Sequence, residues 1–170
     1  MNKAMDVVRK LTQPIAQKAA LAVARCVIRL VNDAVPLQAV QVDVLAGETR
    51  ANVERVQEYG FTSVPLPGCR ALAVFVGGDR SSGVVVASDD IRFRLKNLNP
   101  GEVALYTNEG DKLHFKNGRL IEITAAGGVT VNSPAVTVPE GDVIAGGISL
   151  RHHTHDCGHC GSTQGPVGGD

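Results

Sequence analysis

Residues 101–150 hold strand-like segments too short and too light to bury a core on their own, which narrows the possible folds more than any other feature. Glu102–Thr107, Lys112–Lys116, Arg119–Thr124, Val129–Asn132 and Ala135–Val138 are four to six residues long, divided by Asn-Glu-Gly-Asp, Asn117-Gly118, Ala-Gly-Gly and Ser-Pro. Their bulky apolar side chains are Leu105, Leu113, Phe115, Leu120, Ile121 and Ile123, with scattered Val and Ile. Ordering about fifty residues costs roughly 1–2 kcal/mol each for the backbone alone, more than so little buried surface offsets. Strands of this kind with glycine turns suit winding around a shared axis with identical chains, each covering its neighbours' open edges. The segment therefore predicts an obligate oligomer, without counting the subunits. Asn117-Gly118 is the clearest hairpin signal, and His114 in the strand before it reads as an ordinary surface or interface histidine.

Upstream the texture differs. Residues 1–34 read as an N-terminal helical segment, with Ala16, Ala20, Val23, Val27 and Leu30 at three- and four-residue steps. Pro14 suits a helix start near Gln13, leaving Met1–Thr12 as a looser segment. The stripe fits a helix packed on its own domain or one that docks a partner. From Pro36 the period becomes two. Segments around Val40–Val44, Arg50–Glu58, Thr62–Leu66, Arg70–Val76 and Gly83–Ala87 predict five short strands, and so an oligonucleotide/oligosaccharide-binding (OB-fold) barrel over 35–100. Lys plus Arg equals Asp plus Glu at 17 each, and aromatics are 4 %, so neither charge nor stacking recommends nucleic acid as a partner. The barrel reads as scaffold. Cys26 reads as a small buried apolar residue, and Cys69, with no Cys or His nearby in sequence, as structural. The apolar run from Ala19 to Val31 is interrupted by Arg25 and Arg29, short of the ~20 apolar residues of a membrane span, and the chain reads as folded in cytoplasm.

Residues 151–170 concentrate metal-binding side chains: His152, His153, His155, Cys157, His159 and Cys160. In an extended segment His153 and His155 share one face, with His152 on the other. Three chains would supply six imidazole nitrogens, an octahedral set that suits iron(II), cobalt or nickel better than zinc, with availability favouring iron. Two rivals use the same residues. His153, His155, Cys157 and Cys160 form a cramped tetrahedral zinc set in one chain. Cys157-Gly158-His159-Cys160 has the spacing of a redox dithiol, but Gly161–Pro166 behind it does not suit the helix that such a thiolate needs. A tail with no ligand also remains. These readings leave two functional classes: a structural device, and a metal- or thiol-dependent binding or redox protein on a small barrel.

Gly101-Glu102-Val103-Ala104-Leu105-Tyr106-Thr107-Asn108-Glu109-Gly110-Asp111, then His114-Phe115-Lys116-Asn117-Gly118, Asp142–Leu150 and the His153-x-His155 pair resemble the central spike proteins of contractile phage tail baseplates. The similarity is to the Mu type within the baseplate assembly protein V family, over roughly residues 14–170. It implies a mainly β homotrimer: a barrel ring, a triple-stranded β-helical shaft over 101–150 and a pointed metal-binding tip over 151–170. It further implies one iron ion held by His153 and His155 of three chains. It implies a hub protein that joins the spike to the tail tube, a bacterial outer membrane as target, and mechanical rather than catalytic work. The location implied is the baseplate of a virion or of a phage-tail-like particle. His152 beside the pair, and the Cys157-Gly158-His159-Cys160 insert, depart from the family's pattern.

Overall fold

The computed structural model describes residues 3–45, 47–157, 159 and 161–162. Its chain divides into two compact units, residues 1–126 and 127–170.

The first unit begins with helix α1, Lys3–Leu21, followed after one residue by strand β1, Val23–Asn32. The helix expected over 1–34 thus stops at Leu21. Residues 23–31 are dense in β-branched side chains, and Cys26 and Ile28 point inward at period two. The expected start near Gln13 is also displaced: α1 runs through Pro14 from Lys3. Pro14 has no N–H to give the Lys10 carbonyl, and Thr12 Oγ1 donates to the Val8 carbonyl at 2.9 Å. No helix among the described residues is long and apolar enough to cross a membrane.

Strands β2 (Ala39–Leu45), β3 (Glu48–Arg55), β4 (Arg70–Phe75) and β5 (Gly83–Asp89) complete a barrel with β1. It closes in the order β1-β2-β3-β5-β4, with β4 also pairing β1 and with β3 parallel to β5. That is the five-stranded OB-fold arrangement. Thr62–Leu66, expected as a strand, is loop, and β1 takes its place in the closure. The core is small-bodied. Ile28, Val40, Val42, Val85 and a single aromatic, Phe75, are its largest fully buried side chains, with Cys26, Cys69, Ala71 and Ala73 filling between them. Phe75 fits because β5 opens on glycine: a Cβ on Gly83 would lie 2.8 Å from the ring.

One buried cation sits in this barrel. Arg55 is 7 % exposed. It donates to Gln38 Oε1 (2.7 Å), the Ser63 carbonyl (2.9 Å), Ser63 Oγ and Ser88 Oγ (both 3.0 Å). Gln38 Nε2 in turn donates to Asp33 at 2.6 Å. Burial pulls the Arg55 pKa down, and the four acceptors hold the guanidinium in place.

Beyond the barrel, β6 (Val103–Tyr106), β7 (Lys112–Lys116) and β8 (Leu120–Thr124) form an antiparallel meander. The hairpin expected at Asn117-Gly118 joins β7 to β8. Lys116 pairs with Leu120, so the turn has three residues, and Gly118 (φ 80°) and Arg119 (φ 63°) both take positive φ. His114, expected as a surface or interface histidine, is buried at 8 % exposure within the single chain. Its neighbours on that face of the sheet are Ala104 and Glu122, while Val103, Leu105, Leu113, Phe115, Ile121 and Ile123 line up in register on the other face.

In the second unit, Val129–Asn132 and Ala135–Val138, expected as strands, form none within one chain. Its elements are β9 (Ile144–Ala145) with β10 (Ile148–Ser149), and β11 (Asp156–Cys157) with β12 (Gly161–Ser162), each a short antiparallel pair.

Candidate metal site at the C-terminal hairpin

The β9–β10 hairpin turns on Gly146 (φ 59°) and Gly147 (φ 84°). Two successive positive φ angles are what a tight two-residue hairpin needs and what side chains resist. The turn places Ile144 opposite Ser149 and sets the Leu150 N–H on the Val143 carbonyl at 2.8 Å.

Asp142 locks the strand that follows. Its carboxylate accepts from the amides of Val143 (2.8 Å) and Arg151 (3.1 Å) and from the Ser149 hydroxyl. The Ser149 hydroxyl, above all, holds the Asp142 pKa below the usual carboxylate range. Ser149 Oγ also accepts from the His152 amide at 2.8 Å, and the Ser149 carbonyl accepts from the His153 amide at 3.1 Å. The backbone from 149 to 153 is therefore wound into a fixed turn before the histidine pair begins.

That turn orients His153. Its Nδ1 lies 3.0 Å from both the Ser149 and Leu150 carbonyls. Carbonyl oxygens only accept, so Nδ1 carries a proton, and in the neutral ring Nε2 keeps the lone pair. Metal-ligating histidines are commonly fixed in this way, one ring nitrogen donating to a carbonyl and the other turned to the ion. The His153 and His155 rings meet edge to face, centroids 5.1 Å apart at 85°. His152 is exposed and takes no part in that ring contact.

Of the other candidates, His159 is exposed in the turn between β11 and β12. Cys157 lies in β11 by its backbone, and Cys160 falls outside the described residues. Among the described residues no group of three or more His, Cys, Asp or Glu is close enough to hold a metal ion. Of the single-chain zinc set only His153 and His155 have described side chains, so that set lies partly outside the described residues. Asp142 and Ser149 are the positioning residues that sequence reading passed over. Their signal was the Gly-Gly turn, which brings positions 142 and 149 to one end of the hairpin. The barrel thiols offer no second site: Cys26 and Cys69 are free and buried, and burial pushes both pKa values up, away from reactive thiolates.

Residues 25–92, nearly the whole barrel, match the family described as bacteriophage Mu Gp45, N-terminal. Over 187 aligned positions the chain is 34 % identical to the "Baseplate puncturing device gp45" of Escherichia phage Mu, covering 93 % of this chain and 94 % of that protein. It is 33 % identical over 175 positions to the "Mu-like prophage FluMu protein gp45" of Haemophilus influenzae, covering 89 % of this chain and 96 % of the relative.

Proposed function

This chain belongs to the phage Mu gp45 family of tail baseplate proteins, and from that premise we propose that it is the membrane-piercing central spike of a contractile tail, in a virion or a phage-tail-like particle. Three copies wind residues 101–150 into a triple-stranded β-helix below a ring of barrels. The spike caps the tail tube through a hub protein and is driven through the bacterial outer membrane as the sheath contracts.

The observation that carries the assembly is the bare face of the meander. Val103, Leu105, Phe115, Ile121 and Ile123 are 42–59 % exposed in the single chain, and they pair in register across three strands. The opposite face holds the charges, with Glu122 bridging Lys112 (3.3 Å) and Lys116 (3.0 Å). A flat apolar sheet face with this arrangement is stable only when covered, and identical chains cover one another around an axis.

His153 and His155 of each copy hold one iron ion at the apex. The ion, when bound, fastens the three chain ends by linking metal affinity to local folding. The chain's own part is to tie His153 Nδ1 to backbone carbonyls through the Asp142–Ser149 turn, leaving Nε2 for the ion. Metal analysis combined with light-scattering mass on untagged protein tests the proposal, with one iron per three chains at trimer mass as the expected result. Changing both His153→Ala and His155→Ala leaves a trimer without iron. One zinc per chain would instead move the ligand set to His153, His155, Cys157 and Cys160 and reopen the binding or redox reading; an iron-replete double variant would remove the histidine pair from the site.

A further inference from the structure

The chain has four Phe and two Tyr, and two of these six stand out on the loop between β3 and β4. Tyr59 is fully exposed (103 %) and Phe61 is 60 % exposed. The loop is nevertheless held firmly. The Phe61 amide donates to the Glu58 carbonyl at 3.0 Å, and Gly60 (φ 86°) fills the third position of that turn, where positive φ is required. Gln57 Oε1 accepts from the Ser63 amide (2.7 Å) and hydroxyl (3.1 Å). Buried Arg55 grips Ser63 from the barrel side. A preorganised loop with an exposed aromatic at its apex has the character of an interface anchor, because little ordering cost is left at binding.

Its place in the fold selects the partner. Arg70, where the loop enters β4, pairs with Asp89 at the end of β5, so the loop sits at the barrel end from which the chain leaves toward β6. Helix α1 and the turn at Val76–Gly78 lie at the opposite end, where Val23 pairs with Val74 and Phe75 with Gly83. Phe61 borders a hollow shared with Val56 and Val86. On the outer face of β1, β4 and β5 is an open groove of about 640 Å³, floored by Val27, Leu72, Ala87 and Ile91 and rimmed by Arg25 and Arg70. The charges are complementary. Glu58, beside Tyr59, is exposed and has no ion-pair partner among the described residues; neither have Arg25 and Arg70. Asp43 at the groove is already taken by Arg29 at 2.5 Å, and Asp89, in register with Arg70, also lines it without an ion pair to either rim arginine among the described residues.

One surface therefore carries both a projecting acidic-aromatic loop and a basic-rimmed apolar groove. Two unlike patches of this kind make a heterologous contact, which closes into a ring when repeated around an axis. We propose that the Tyr59–Phe61 loop of each copy seats in the Arg25–Arg70–Leu72 groove of the next copy. The contact rests on the trimer proposed above and gives the barrel ring its own lock, separate from the shaft.

The test is oxidative cross-linking of the full-length protein carrying Tyr59→Cys and Leu72→Cys together, both at exposed positions, with Cys157→Ser and Cys160→Ser removing the C-terminal thiols. The expected product on a denaturing gel is a covalently closed trimer, absent from either single cysteine addition and from the oxidised protein carrying the two serine changes alone. Adding Glu58→Arg slows cross-linking about tenfold, the scale of one lost interface anchor, and Arg25→Glu with Arg70→Glu restores it. Trimer mass in solution without the covalent trimer, or cross-linking by Tyr59→Cys alone, overturns the loop-in-groove contact while the trimer stands. Monomer mass overturns the trimer and this contact with it.

Discussion

Glu102 Oε2 lies 3.3 Å from His114 Nε2, with side chains 5 % and 10 % exposed, although the approach is not aligned as a hydrogen bond. Glu102 is instead tied by hydrogen bonds. It accepts from the Asn99 amide at 3.0 Å, from Asn99 Nδ2 at 3.2 Å and from the Asn117 amide at 3.3 Å. These, Asn99 first, bring its pKa down from 4.5 to about 2. A carboxylate whose folded pKa lies below its unfolded value adds stability above the unfolded value and loses it as pH falls through the folded one. This contribution to the joint between the barrel and β6 is thus present at neutral pH and is lost as pH falls from about 4.5 to about 2. Glu102→Gln removes that acid transition: unfolding midpoints measured from pH 5 down to 2 are expected to fall less steeply in the variant than in wild type. Parallel slopes would mean that other carboxylates set the acid limit. An alternating strand told that His114 belonged to β7, but alternation alone does not say which face is covered. Arg55 was hidden for a similar reason, since an arginine in a half-polar strand reads as exposed until Gln38, Ser63 and Ser88 are seen around it.

Strand β5 begins at Gly83 because the ring of Phe75 occupies the space where a side chain would go, with Val53 Cγ1 closing the other side at 3.4 Å. Gly83→Ala forces Phe75 off its rotamer in a core with no other aromatic to repack. The expected cost is about 1–3 kcal/mol, the usual range for overpacking, read as a lower midpoint in denaturant with unchanged slope; an unaltered midpoint would show that the barrel mouth gives way freely. Elements with strong local signals were legible beforehand: β2, β4, β5 and the β7–β8 hairpin lie where alternation and turn residues put them. The boundary between α1 and β1 was not. Val23, Val27 and Leu30 satisfy a helical stripe while Cys26 and Ile28 satisfy a strand, and one residue, Ala22, separates the two elements. Arg25 and Arg29, four apart, suit the outer side of either. What decides between them is closure of the barrel through β1–β4 pairing, a long-range event that no local window contains. At the tip, the histidine spacing was legible but the device that turns His153 was not, because Asp142 and Ser149 act across a hairpin.

The molecule as a whole is a closed barrel with its core satisfied, joined to strands whose apolar face is not. Barrel side chains such as Ile28, Val42 and Val85 are fully buried without help from another copy, so the barrel depends on its own chain, whereas in the proposed trimer the meander depends on others. This separation gives the proposed trimer a sharp consequence. Ile121 and Ile123 lie two apart on the bare face, in register with Phe115 and Leu113. Placing carboxylates there, Ile121→Asp with Ile123→Asp, sets like charges against one another around the axis and strands them away from water on assembly. The expected outcome is a change in light-scattering mass from three chains to one. Amide-exchange protection in β1–β5 persists, because nothing in that core has been touched. Loss of protection throughout would mean that the barrel too is held by its neighbours. Retention of the trimer with both aspartates in place would mean that the bare face looks outward and that another surface joins the copies. Persistence of the barrel in a monomeric variant would also explain how a chain can fold its first part alone and commit to the shaft only on meeting its partners, an order that keeps exposed strand edges from pairing wrongly during assembly.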